Sequence, residues 1–172
     1  MSKVISISEI SEVNALEAIV LESMNKSKIR LTDILNSDSG LNSFAQIKFK
    51  QIGFDPLNPN RPLNLVEQVN QSFTYLATFK ALSILFDQHP DLSPFTINLG
   101  TASGSDIESD CGSLAAEVFA AVSPSSNQKL KKDIDKVSAT NAKYMYSFLM
   151  CPGIEPGRQL QHERERVRVW AL

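Results

Sequence analysis

The chain has 172 residues, of which 42% are hydrophobic and 21% are charged. This composition is typical of a globular protein with a real core and excludes a wholly disordered chain. The net charge of −2 arises from 17 basic and 19 acidic residues. It argues against a protein that coats nucleic acid indiscriminately, although a local basic patch could still bind it.

Neither a membrane segment nor a disulfide framework is expected. No apolar run reaches the roughly 18 residues that a membrane span requires, and the N-terminus lacks the apolar core of a secretory signal. The two cysteines, Cys111 and Cys151, do not have the spacing of a CxxC pair and suit reduced thiols. We therefore expect a cytoplasmic protein that makes no membrane contact.

The N-terminal third is predicted to be helical. Residues 8–25 carry apolar side chains at steps of three and four, which is typical of an amphipathic helix. Shorter helices are expected near residues 30–36 and 41–52. The three prolines that follow must break any helix. The predicted organisation is an N-terminal helical extension over residues 1–53, a proline-rich connection over 54–63 and an α/β core over 64–172.

Within the core, a long helix is followed by short strands. Asn64 and Glu67 have the spacing of a capping box, which begins a helix over residues 65–88. The His89-Pro90 pair ends this helix. Ser125 and Gln128 suggest a second capping box. The elements expected after the first helix are strands at 95–99, 106–109 and 114–122, a helix at 126–137, and strands at 144–150 and 167–172.

Two carboxylates lie on consecutive predicted strands. Asp106 is on the short strand, and Glu117 lies within the next, strongly apolar strand. A hairpin between the two strands would bring both carboxylates together. Oxygen ligands of this kind suit Mg²⁺ or Mn²⁺, since one or two carboxylates suffice when a substrate phosphate supplies the rest.

The order helix, three strands, helix, strand resembles the restriction endonuclease-like PD-(D/E)XK nuclease superfamily. The matching segments are Gly104-Ser105-Asp106-Ile107 for the aspartate and Ala116-Glu117-Val118-Phe119 for the (D/E)-x-K motif. The resemblance covers residues 64–150. Phe119 occupies the position of the family's lysine.

The resemblance implies roles for these residues. Asp106 and Glu117 would bind Mg²⁺ or Mn²⁺ beside the scissile phosphate, and Glu67 would be a third acid from the long helix. A displaced lysine from Lys129, Lys131 or Lys132 would replace the one missing at Phe119. Of these three we take Lys131 as the catalytic candidate.

Each residue also has a purely structural interpretation. Asp106 could accept hydrogen bonds from nearby amides, and Glu117 could be a buried ion-pair residue. Glu67 could serve only the capping box. The spacings Lys129/Asp133 and Lys131/Asp135 are typical of an exposed helix face.

The function expected from the resemblance is Mg²⁺-dependent cleavage of DNA. The alternative is a restriction endonuclease-like fold whose site has decayed and which acts as a binding or regulatory module. A small-molecule binder unrelated to nucleases is a third interpretation. The expected partners are DNA and a second copy of the chain, paired through the N-terminal helices.

Overall fold

The computed structural model describes residues 3–37, 39–100 and 103–172, which form a mixed α/β protein. The α-helices of these residues are α1 (Ile10–Ser37), α2 (Gly40–Phe49), α3 (Leu65–Gln88) and α4 (Lys129–Ser138). The strands are β1 (Lys3–Ile7), β2 (Gly53–Asp55), β3 (Asn58–Leu63), β4 (Phe95–Leu99), β5 (Ile107–Ser109), β6 (Leu114–Ala120), β7 (Tyr144–Met150), β8 (Gly157–Arg158) and β9 (Val167–Ala171). None of the described helices is both long and apolar enough to cross a membrane.

The chain divides into two compact units. Unit 1 comprises Met1–Asn14 and Ala77–Leu172, and unit 2 comprises Ala15–Leu76. Helices α1 and α3 each contribute residues to both units. The predicted extension over 1–53 includes residues 1, 2 and 38, which lie outside the described residues.

Unit 1 is built on a mixed sheet with the strand order β1-β4-β5-β6-β7-β9-β8. Strands β4, β5 and β6 form an antiparallel meander, and β1 pairs antiparallel with the outer strand β4. Strand β7 then lies parallel to β6, and β9 lies parallel to β7. A parallel return needs a crossover, and α4 provides it between β6 and β7.

One face of this sheet is covered by α4. Strand β6 is buried at six of its seven positions, as expected for a central strand that is covered on both faces. Helix α4 presents an apolar stripe with helical spacing, which packs on the side chains of β6, β7 and β9. The members of this apolar cluster include Leu130, Ile134, Val137, Ala115, Phe119, Met145, Leu149, Val167 and Val169.

Unit 2 contains most of α1, helix α2, the β2–β3 hairpin and the first half of α3. The buried Gln68 joins three of these elements. Its Nε2 donates to Ser23 Oγ at 3.0 Å, and its Oε1 accepts a hydrogen bond from the Phe54 amide at 3.1 Å. Asp55 is buried and forms an ion pair with Arg61 at 3.1 Å, which closes the hairpin.

The elements predicted after residue 64 are present, with three differences: α4 begins at Lys129 after a 3-10 turn, β5 begins one residue after Asp106, and the short strand β8 was not expected. The elements predicted before residue 64 need more correction. Helix α1 runs unbroken to Ser37, so there is no separate helix at 30–36. The N-terminal part is not purely helical, because β1 adds to the edge of the main sheet. The proline-rich segment forms the β2–β3 pair, in which prolines are tolerated because both strands are edges.

Candidate active site

Strands on both sides hold Asp106 in place. It directly precedes β5, and its backbone oxygen accepts a hydrogen bond from Asn98 of β4 at 2.9 Å. Its carboxylate Oδ2 accepts a hydrogen bond from the Val118 amide of β6 at 2.8 Å. The side chain is therefore fixed next to the backbone of the strand that carries Glu117.

The pairing of β5 with β6 brings Asp106 and Glu117 to the same face. Ile107 lies opposite Ala116 and Glu108 opposite Ala115, so one further step of this register sets Asp106 opposite Glu117. Directly opposed residues of an antiparallel pair share a face of the sheet. The hairpin therefore places the two carboxylates side by side.

Glu117 is buried and paired with a lysine from α4. Only 1% of Glu117 is exposed, and its Oε1 lies 2.7 Å from Nζ of Lys136. The side chain of Lys136 is 49% exposed, so its ammonium reaches the carboxylate from the solvent side. The ion pair agrees with the structural interpretation of Glu117, and it also sets a cation beside both acids.

A third carboxylate belongs to the same cluster. Asp133 lies one turn before Lys136 on α4 and is only 2% exposed. Its Oδ1 forms an ion pair with Lys129 Nζ at 2.6 Å, while its Oδ2 is buried without a hydrogen-bond partner. Asp106, Glu117 and Asp133 thus outnumber Lys129 and Lys136, the two lysines whose charges act on them.

Burial raises the pKa values of all three carboxyl groups. Burial raises the pKa of Glu117 to about 7; the charges of Asp106 and Asp133 raise it further, and the hydrogen bond and charge of Lys136 oppose them. Burial also raises the pKa values of Asp106 and Asp133. Burial lowers the pKa of Lys136, but the three acids outweigh it and raise the pKa overall. Perturbed groups clustered in this way are characteristic of functional sites.

Phe119 lies on the same sheet face as Glu117 but has an apolar environment. Its side chain is buried in the apolar cluster beneath α4, against Leu130 and Ile134 among others. A lysine at this position would have to place its ammonium in that cluster. The cation beside the acids therefore comes from the helix rather than from the strand.

The other two predicted residues have contacts of their own. Lys131 forms an exposed ion pair with Asp135 at 2.6 Å, so the lysine next to Glu117 is Lys136 and not Lys131. Glu67 lies in unit 2 and closes the capping box of α3. Its amide donates to Asn64 Oδ1 at 2.8 Å, and its Oε2 accepts a hydrogen bond from the Asn64 amide at 3.3 Å. Its role as a third acid stays a prediction.

Sequence reasoning missed Asp133 and Lys136, although a signal for Asp133 was present. The buried positions of α4 are Leu130, Asp133, Ile134 and Val137, so an aspartate occupies a place in the apolar stripe. The Lys129/Asp133 spacing was interpreted as an exposed face, and that interpretation is wrong for Asp133. Lys136 has no such signal, because its contact with Glu117 depends on how α4 packs on the sheet.

The donor set suits a hard cation that shares its coordination with a substrate. No group of three or more His, Cys, Asp or Glu residues in residues 3–37, 39–100 and 103–172 is arranged as a complete metal site. Mg²⁺ usually takes only one or two protein carboxylates and completes its octahedron with water and phosphate. Asp106 and Glu117, fixed on adjacent strands, fit this mode of binding.

Comparison with known proteins gave no relative from which a role could be transferred. No family model, no curated protein and no solved structure matches this chain.

Proposed function

We propose that the protein is a Mg²⁺- or Mn²⁺-dependent nuclease that cleaves DNA, with Asp106 and Glu117 as metal ligands and Lys136 as the lysine of the site. The single observation that carries the proposal is the contact of 2.7 Å between Lys136 Nζ and Glu117 Oε1 beside Asp106. Two acids and a lysine on one sheet face are the groups that the PD-(D/E)XK motif brings together. Here the lysine comes from α4 instead of position 119.

The topology of unit 1 supports a restriction endonuclease-like core. The second half of α3 precedes the antiparallel meander β4-β5-β6, and α4 leads to β7, which is parallel to β6. This is the order helix, three strands, helix, strand that the resemblance implies. Strand β1 and strands β8 and β9 extend the sheet on either side.

The residues of the cluster would divide the work of phosphodiester hydrolysis. A bound divalent cation stabilises charge on the scissile phosphate and makes a water molecule more acidic. Asp106 and Glu117 would hold the cation through their carboxylate oxygens. Lys136 Nζ would donate a hydrogen bond to the attacking water or to a phosphate oxygen, because its ammonium is partly exposed beside both acids.

The second candidate is a binding or regulatory module with the same fold but no catalysis. The observation that favours it is the buried Phe119, which removes the lysine from its motif position. Lys136 argues against this second candidate, since it provides an ammonium where the motif would need one. The two candidates make opposite predictions for cleavage.

The experiment is the nicking of supercoiled plasmid by the purified protein with Mg²⁺ or Mn²⁺. We expect cleavage that is lost in Asp106→Asn, Glu117→Gln and Lys136→Met, by a factor of about a hundred or more each. Lys131→Met is the matched control, because it removes a lysine of the same helix that forms an exposed ion pair with Asp135. Full activity of Lys136→Met would contradict the proposal.

Glu67 can be tested in the same assay. Glu67→Gln keeps a capping-box side chain at the start of α3 but removes the carboxylate charge. Activity close to that of the wild type would restrict Glu67 to capping. A loss like that of Glu117→Gln, with unchanged thermal stability, would support its role as a third acid.

A further inference from the structure

A divalent cation and Lys136 would both bind the carboxylate of Glu117. Lys136 Nζ lies 2.7 Å from Glu117 Oε1, which leaves that oxygen paired with an ammonium. A divalent cation bound by the same buried carboxylate would carry twice the charge at a similar distance. Two cations cannot share a buried carboxylate without strong mutual repulsion. A metal bound by this carboxylate therefore favours movement of the lysine away from it.

Asp133 offers the displaced ammonium a new partner. It precedes Lys136 by three residues, so the two side chains are neighbours on one face of α4. Its Oδ1 is occupied by Lys129, whereas its Oδ2 is buried and has no hydrogen-bond partner. An unpaired buried carboxylate oxygen is costly, so an incoming ammonium would be stabilised there.

We propose that Lys136 is an exchangeable cation: binding of a divalent metal at Glu117 displaces the Lys136 ammonium, and Asp133 Oδ2 accepts it. This inference rests on the proposed function, since it takes Glu117 as a metal ligand. Asp133 is then a positioning residue, which holds the lysine beside the metal instead of releasing it to solvent. The half-exposed side chain of Lys136 has the freedom that such a movement needs.

The exchange predicts how cation affinity depends on both residues. Without Lys136 no ammonium competes for Glu117, so the metal should bind more tightly. Without the charge of Asp133 the displaced ammonium loses its acceptor, so the metal should bind less tightly. This second effect requires Lys136 and should vanish when the lysine is absent.

The test is isothermal titration of Mn²⁺ into the full-length wild type, Lys136→Met, Asp133→Asn and the double variant, with Lys131→Met as the control. We expect Lys136→Met to bind Mn²⁺ about fivefold more tightly and Asp133→Asn about fivefold more weakly than the wild type. In the Lys136→Met background, Asp133→Asn should change the affinity by less than about twofold. Lys131→Met should bind as the wild type does.

The outcomes separate this inference from the proposed function. Mn²⁺ binding that is unchanged by Lys136→Met, or an effect of Asp133→Asn that persists without Lys136, would overturn the exchange while leaving the metal site intact. Absence of Mn²⁺ binding in both the wild type and Lys136→Met would overturn both.

A second measurement avoids any change at the buried Asp133. The side-chain ammonium of Lys136 can be followed by NMR in the wild type during titration with Mg²⁺, with Lys136→Met used for assignment. We expect a saturable shift of the Lys136 signal and a constant Lys131 signal. A Lys136 signal that stays constant at saturating Mg²⁺ would overturn the exchange.

Discussion

Burial of Glu117 links the stability of the protein to pH. A carboxyl group with a pKa of about 7 in the folded protein, against 4.5 for an ordinary glutamate, binds its proton more tightly when folded. Between these values the folded state holds a proton that the unfolded chain has released. The contribution of Glu117 to the free energy of unfolding therefore falls as pH rises through this window and is constant above it.

We expect Glu117→Gln to remove the fall in the free energy of unfolding that Glu117 causes as pH rises. The wild type should lose stability from pH 5 to pH 8 relative to the variant, by no more than about 3 kcal/mol, because each pKa unit corresponds to about 1.4 kcal/mol. Urea unfolding at four pH values in this range measures the difference. Stability curves of the two proteins that run parallel would contradict the raised pKa.

The spacing of a capping box predicts a helix cap correctly at one of the two predicted positions in this chain. Asn64 and Glu67 form the predicted capping box, with both reciprocal hydrogen bonds present. Ser125 and Gln128 have the same spacing, but neither caps a helix through its side chain. There the chain makes a short 3-10 turn before α4, and Asn127 and Gln128 have positive φ angles. The same spacing thus gave two outcomes.

At the scale of elements, two adjacent faces of α4 make different contacts. One face is apolar and packs on the sheet through the cluster that contains Phe119. The neighbouring face carries Lys129, Asp133 and Lys136 to the buried acids. A helix placed in this way can supply the lysine that the strand does not, because the parallel crossover lays it directly over β6.

A lysine introduced at position 119 should therefore destabilise the fold. Phe119→Lys would bury an ammonium in the apolar cluster, and we expect it to lower the free energy of unfolding by several kcal/mol. Phe119→Leu, which keeps the site apolar, should cost about 1 kcal/mol. Chemical unfolding of both variants gives the comparison. A stable Phe119→Lys protein with increased cleavage would show that the strand position still serves the site.

At the scale of the whole molecule, unit 2 exposes several large apolar side chains. Helix α2 alone presents Leu41, Phe44 and Phe49 with exposed fractions of 86%, 69% and 77%. Large exposed apolar residues that cluster on one element commonly mark an interface. The pairing of two copies of the chain through their N-terminal helices stays a prediction, and these side chains are the place to test it.

The double variant Leu41→Glu/Phe44→Glu should then shift the protein from dimer to monomer. Introducing two charges into such an interface leaves them unpaired and buried, which disfavours association. Light scattering coupled to size-exclusion chromatography measures the mass. Val122→Glu, at an exposed apolar residue of unit 1, is the control and should not change it. A wild type that is monomeric at all concentrations would contradict the pairing.

The sequence by itself determined the elements whose signals are local. The long helix 65–88, the strands at 95–99 and 144–150 and the hairpin that joins Asp106 to Glu117 follow from periodicity, turns and spacing over a few residues. The addition of β1 to the sheet, the division of the chain into two units and the identity of the lysine were decided only by tertiary structure. Strand addition depends on an edge about 90 residues away in sequence, and the contact of Lys136 with Glu117 depends on how a helix crosses a sheet. Neither the addition of β1 nor the Lys136 contact can be predicted from a local sequence pattern, because both depend on packing between distant segments.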